Sequence, residues 1–290
     1  MPTKGEKDLV TGTETTGHEW DGIRELDTPL PKWWLYVFYV TIFWAFVYVV
    51  LYPAIPWGGS HSNGLLGWNQ RGEFAEKWAA AKAEQAAYQD KIAASPLAAI
   101  EADPQLLAYA MAGGRAAFAD NCAPCHGGGG SGRKGGFPTL ADDEWLWGGT
   151  ADQIQKTITY GIRNANAESR QSAMPAFGAD GVLNRAQVND VAEYVLSLSG
   201  GSQDRAAAAR GEKIFADNCA ACHGAGGKGN LEMGAPNLAD GIWLYGGSKD
   251  QIVAQIWRPR MGVMPAWEGR LDPATIKMLT VYVHSLGGGQ

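Results

Sequence analysis

The feature that most constrains this 290-residue chain is a pentapeptide that occurs twice, Cys122-Ala-Pro-Cys125-His126 and Cys219-Ala-Ala-Cys222-His223. These are the chain's four cysteines, and the sequence around them repeats. Gly114-Arg-Ala-Ala-Phe118-Ala-Asp-Asn-Cys122 matches Gly211-Glu-Lys-Ile-Phe215-Ala-Asp-Asn-Cys219, 97 residues on. Trp145-Leu-Trp-Gly-Gly149 matches Trp243-Leu-Tyr-Gly-Gly247 at a spacing of 98, and Met174-Pro-Ala-Phe177 matches Met264-Pro-Ala-Trp267 at 90. Tyr194 and Tyr282 correspond at 88. Two tandem copies of one small fold are expected. The fall in spacing places an eight-residue deletion in the second copy, where the first carries a polar loop at 162–172.

Cys-x-x-Cys-His is the attachment motif of c-type haem. The two thiols form thioethers with the haem vinyl groups. The second cysteine lies three residues after the first and the histidine four, so on a helix all three share a face and the imidazole lies over the iron. Cys122, Cys125, Cys219 and Cys222 are therefore the expected covalent anchors, and His126 and His223 the proximal ligands, of two haem c groups. Cysteine pairs can also hold zinc or act as redox dithiols. Neither explains a histidine after each pair and a matched methionine far downstream.

Met174 and Met264 are the methionines at equivalent places in both copies, and each precedes a proline that fixes the backbone beside it. They are the expected sixth ligands. His/Met ligation raises the haem potential and closes the site to oxygen and peroxide, as a carrier requires. Met233 and Met261 have no counterpart in the other copy. Spacing fits Met174 with His126 and Met264 with His223, although a short link between copies would permit the reverse. Pro138 and Pro236 follow the histidines by 12 and 13 residues, and Gly114 and Phe118 are placed to meet Tyr194, as Gly211 and Phe215 are to meet Tyr282. His18, His61 and His284 do not recur and are not expected to bind iron.

Upstream, residues 33–52 carry no charge. At ~1.5 Å per residue they reach about 30 Å, the thickness of a bilayer's hydrocarbon core. Trp33, Trp34 and Tyr36 at one end, and Tyr52 and Trp57 at the other, suit the two interfaces. Residues 1–32 are polar, with neither the apolar core nor the cleavage site of a signal peptide. Lys4, Lys7, Arg24 and Lys32 precede the span and only Arg71 follows closely, which puts the N-terminus in the cytoplasm. The net charge of −6 includes no polybasic run, so nucleic acid is not an expected partner.

The expected fold is all-α: one N-terminal transmembrane helix followed by two tandem class I cytochrome c-like domains. The segments are 1–32 (cytoplasmic), 33–52 (membrane span), 53–110 (a partly helical periplasmic connector), 111–200 (first domain) and 201–290 (second domain). Within the connector a helix is expected over 73–94, ended by Ser95-Pro96, and a short one from Asp103-Pro104.

This order resembles subunit III of cbb3-type cytochrome c oxidase, the dihaem CcoP/FixP family. So does His18-Glu-Trp20-Asp21-Gly22-Ile23-Arg-Glu25-Leu26-Asp27-Thr-Pro29-Leu30-Pro31-Lys-Trp33-Trp34, which reads like the segment before the span in that family. In class I cytochromes c a proline placed as Pro138 and Pro236 are gives its carbonyl to the ligand histidine. The resemblance implies a non-catalytic redox subunit of a proton-pumping oxidase in the bacterial inner membrane. It would take electrons from a cytochrome c donor, soluble or membrane-bound. It would pass them through a monohaem subunit to the oxygen-reducing haem–copper subunit. The residues alone also allow an anchored dihaem cytochrome serving another periplasmic enzyme. A dihaem peroxidase needs an open haem, and two Met-Pro motifs speak against it. Trp20, Ile23 and Leu26 are candidates to dock on the large subunit.

Overall fold

A computed structural model describes residues 5–287, with only the backbone of Trp57. Lys4, counted above for orientation, the side chain of Trp57 and the last three positions lie outside the described residues. The chain divides into two units, 1–84 and 85–290.

In the first unit the segment before the span contains an antiparallel hairpin, β1 (Thr15–Trp20) with β2 (Ile23–Leu26). Asp21-Gly22 turns it, both with positive φ, as tight hairpin turns require. A strand pair was not expected here, because the segment is too polar and too short for a clear alternation. Trp20 is paired opposite Ile23, and both are exposed. The span is α1 (Lys32–Leu51), apolar all round and with no buried residue. A second small hairpin, β3 (Pro56–Trp57) with β4 (Ser60–His61), follows it.

Helix α2 (Gln70–Ala94) covers the expected 73–94, and the division between the units falls within it. In the second unit, the end of α2 and a further short helix, α3 (Leu97–Ala102), bury Ile92, Leu97 and Ile100 against α4 (Pro104–Asn121) and α11 (Pro273–His284). Lys277 closes the C-terminus of α2 by donating to the carbonyls of Ala93 (2.7 Å) and Ser95 (2.6 Å). Asp103 caps α4 through Gln105 and Leu106 N–H, as read from the sequence. The helix it starts is not short, however. It runs unbroken through 110 and forms the first helix of the haem region.

The remaining helices are α5 (Ala123–His126), α6 (Ala151–Tyr160), α7 (Arg185–Leu198), α8 (Arg205–Asn218), α9 (Ala220–His223) and α10 (Lys249–Trp257). The cap of α6 repeats in α10, whereas α11 is capped by Asp272 without the capping box that starts α7. Thr150, Asn184 and Ser248 each build a capping box with a glutamine three residues on.

Their packing departs from the sequential expectation. Helix α11 packs on α4 and α6, while α7 packs on α8 and α10. Each packed module thus takes its first three helices from one repeat and its last helix from the other. Phe118 meets Tyr282, not Tyr194 (centroids 5.3 Å apart), and Phe215 meets Tyr194, not Tyr282 (5.1 Å). A Cβ on Gly114 would strike Met278 O and Tyr282 Cβ, and one on Gly211 would strike Asp190 O and Tyr194 Cβ. Glycine at these two crossings permits the close approach foreseen, with the partners exchanged. The cause lies in the link between repeats. Only 199–204 join α7 to α8, so α7 falls on the helix that follows it. Glu193 holds the link by accepting from Ser202 Oγ (2.8 Å) and from the N–H groups of Gln203 (3.1 Å) and Asp204 (3.2 Å). Lys249 pairs with the same carboxylate at 2.9 Å.

Candidate haem-binding sites

Each Cys-x-x-Cys-His motif forms a one-turn helix, α5 or α9, at the end of the helix before it. Within each motif the histidine N–H donates to the carbonyl of the first cysteine, His126 to Cys122 at 2.8 Å and His223 to Cys219 at 2.9 Å. This places the imidazole and both thiols around one turn. His126 Nδ1 donates to the carbonyl of Pro138 at 3.1 Å, and His223 Nδ1 to that of Pro236 at 3.0 Å. These bonds orient the rings and leave each Nε2 as the nitrogen available to a metal. Burial lowers the pKa of both histidines, only partly opposed by the proline carbonyls, and so favours the neutral, ligating form.

Burial, with a second contribution from the neighbouring cysteine, pushes the Cys122 and Cys219 thiols up to about 11. The two pairs also belong to different clusters: Cys122 packs with Phe118, Ile154 and Ile158, and Cys219 with Phe215, Ile252 and Ile256.

The methionines follow the exchanged helices. Met264 packs in the Cys122 cluster and Met174 in the Cys219 cluster. The sequential pairing of Met174 with His126 is therefore not the one the packing favours. Met233 and Met261 are exposed. His18 stacks on Trp20, His61 Nδ1 contacts Ser62 O, and His284 Nδ1 lies 3.0 Å from Glu101 Oε1. All three have partners of their own. Each cluster holds one cysteine and one methionine, with the second cysteine and the oriented imidazole on the same one-turn helix beside it, a donor set that fits haem c.

The 162–172 loop, which the repeat spacing marks as an insertion, lies against the segment that carries Met264. Ile162 and Met264 exchange both backbone hydrogen bonds, each at 3.0 Å. The sequence signal was the drop in repeat spacing, which locates an insertion but not its partner.

Comparison with known proteins agrees with these features. Residues 12–59 match the N-terminal domain of cytochrome oxidase-cbb3, FixP. Residues 110–195 and 206–283 each match cytochrome c oxidase, cbb3-type, subunit III. The chain is 57% identical to the cbb3-type cytochrome c oxidase subunit CcoP of Azospirillum brasilense, over 98% of this chain and 99% of that protein. It is 58% identical to subunit FixP of Azorhizobium caulinodans, over 98% and 96%. It is 54% identical to FixP of Bradyrhizobium diazoefficiens over the whole of both chains. The two cytochrome c domains imply haem c. The α1 anchor accords with a membrane-bound oxidase subunit, and the peroxidase alternative is set aside. The chain belongs to the CcoP/FixP family, the dihaem electron-transfer subunit of cbb3-type cytochrome c oxidase.

Proposed function

We propose that Cys122 and Cys125 attach one haem c whose iron is held by His126 and Met264. Cys219 and Cys222 attach the other, held by His223 and Met174. The observation that carries this reading is the exchange: Met264 lies with Cys122, and Met174 with Cys219. The repeats 111–200 and 201–290 are units of sequence, and each haem module is assembled from parts of both.

Haem c held by these residues would supply one-electron transfer between its ferrous and ferric forms, and a histidine–methionine ligand pair would close it to oxygen and peroxide. The chain supplies placement and environment. The carbonyls of Pro138 and Pro236 fix the imidazoles, while Phe118 and Phe215, both buried, keep water from the two clusters. Electrons enter from a cytochrome c donor. They leave toward the monohaem subunit and then the oxygen-reducing haem–copper subunit. The N-terminal segment faces the cytoplasm and the haem modules face the periplasm of the inner membrane. The basic residues before α1 and the covalent haem chemistry support that orientation.

The test uses a full-length chain with Cys219 and Cys222 replaced by alanine, which retains only the first haem. Its methionine-to-iron charge-transfer band should vanish with Met264→Ala and survive Met174→Ala. The opposite pattern would restore the sequential assignment.

A further inference from the structure

The loop at 162–172 distinguishes the first repeat, and its side chains converge on the backbone that carries the methionines. Asn164 Nδ2 donates to the carbonyl of Met264 itself at 2.8 Å and to Tyr160 O at 2.9 Å. Arg163 Nε donates to Gly262 O at 2.8 Å, and its Nη1 to Ser172 O at 3.1 Å. Gly262 and Ser172 each stand two residues before a methionine, Met264 and Met174. One planar guanidinium therefore ties together the approaches to both ligand candidates, a task its rigid fork suits.

The backbone is bent to allow this. Arg163 has φ +52°, a conformation that non-glycine residues adopt only where the surroundings hold them. Its own N–H is held by Arg170 O at 2.9 Å. Gly161, φ +69°, comes so close that a Cβ there would strike both Asn164 Nδ2 and Met264 O. The second repeat has no such device. The eight residues are missing, and Pro259, which has no N–H, stands where the repeat alignment puts Gly161. Among the described residues, Met174 N–H and C=O have no hydrogen-bond partner, whereas those of Met264 are bonded to Ile162.

Resting on the ligand reading above, we infer that Asn164 and Arg163 are positioning residues for the axial methionines, Asn164 for Met264 alone and Arg163 for both. The two irons then differ in how firmly their sixth ligand is held. Met264 is fixed through its own backbone, while Met174 is restrained only at the fork, two residues away. An exogenous ligand such as imidazole displaces Met174 first.

The experiment titrates the haem-loaded full-length chain with imidazole, following the charge-transfer band and the midpoint potential of each haem. In the unmodified chain the His223 haem yields first. Asn164→Ala makes imidazole compete about fivefold more effectively at the His126 haem, the factor one net hydrogen bond supplies, and leaves the other haem unchanged. Asn164→Asp keeps the oxygen that accepts from Asn166 N–H but removes the donor, so it reproduces the effect if alanine impairs folding. Arg163→Gly tolerates the positive φ, removes the fork and weakens methionine ligation at both haems. Arg163→Lys keeps the charge without the fork and fails to restore both contacts. Unchanged titrations in all four variants, with Met174→Ala and Met264→Ala each abolishing one band, would overturn the clasp and leave the ligand assignment standing. Bands that survive both methionine variants would overturn the assignment and the clasp with it.

Discussion

Phe118 packs against Tyr282 with ring centroids 5.3 Å apart, although 164 residues of chain separate them and Tyr194, its counterpart in the same repeat, meets Phe215 instead. A double-mutant cycle checks this pairing. Phe118 and Tyr282 should couple by about 0.5–1.5 kcal/mol, as aromatic pairs in contact do. Phe118 and Tyr194 should be additive within about 0.5 kcal/mol. Chemical denaturation of the four proteins in each cycle gives the values, and coupling in the second cycle alone would refute the exchange.

Gly114→Ala and Gly211→Ala each force a methyl group into a neighbouring helix, against Met278 O in one module and Asp190 O in the other. Each should cost about 1–3 kcal/mol, the usual penalty of overpacking. The Gly114 variant should loosen α11 and the Gly211 variant α7, seen as faster amide exchange in those helices.

Glu193 is 2% exposed, and the Lys249 ammonium beside its carboxylate, with donors from 202–204, holds its pKa down to about 2. The folded state thus binds this proton less readily than the unfolded chain. The stabilisation is complete above the ordinary glutamate pKa and is lost as pH falls toward 2. Glu193→Ala should cost roughly 2–3 kcal/mol at neutral pH, as the loss of hydrogen bonds to a charged group does. Glu193→Gln should flatten the acid limb of the Tm–pH curve. An acid limb identical to that of the parent would show that another group governs it.

Glu144 has the opposite sign. Burial first, and then the adjoining Asp240 carboxyl, push it up to about 7, and Asp142 is raised as well. Asp240 Oδ2 is buried with no donor against it among the described residues, so the proton on Glu144 is the group that can satisfy it. Here stability is full below the ordinary glutamate pKa and falls as pH rises through 7. Glu144→Gln should therefore raise Tm at pH 8 and change little at pH 5. A larger gain at pH 5 would contradict the shared proton.

The local sequence by itself determined much of this protein. The uncharged run at 33–52 specified α1, Asp103-Pro104 specified the start of α4, and the two pentapeptides specified the one-turn helices that present His126 and His223. Met-Pro at the same place in both repeats singled out Met174 and Met264. Such features are legible because they depend on neighbours a few residues away. The hairpin at β1 and β2 was not, since its register rests on the Asp21-Gly22 turn more than on any alternation. Nor was the choice of partner between modules. Two copies of one sequence offer the same surfaces, so Tyr194 fits Phe118 and Phe215 alike, and no local pattern separates them. Tertiary structure decided it: the link at 199–204 brings α7 onto α8, Glu193 fixes that link, and α11 is left to close over α4. The same exchange carries the segment around Met264 back to the loop at 162–172. Arg163 and Asn164 acquire a partner there that lies about a hundred residues away in the chain, as the Asn164–Met264 bond shows.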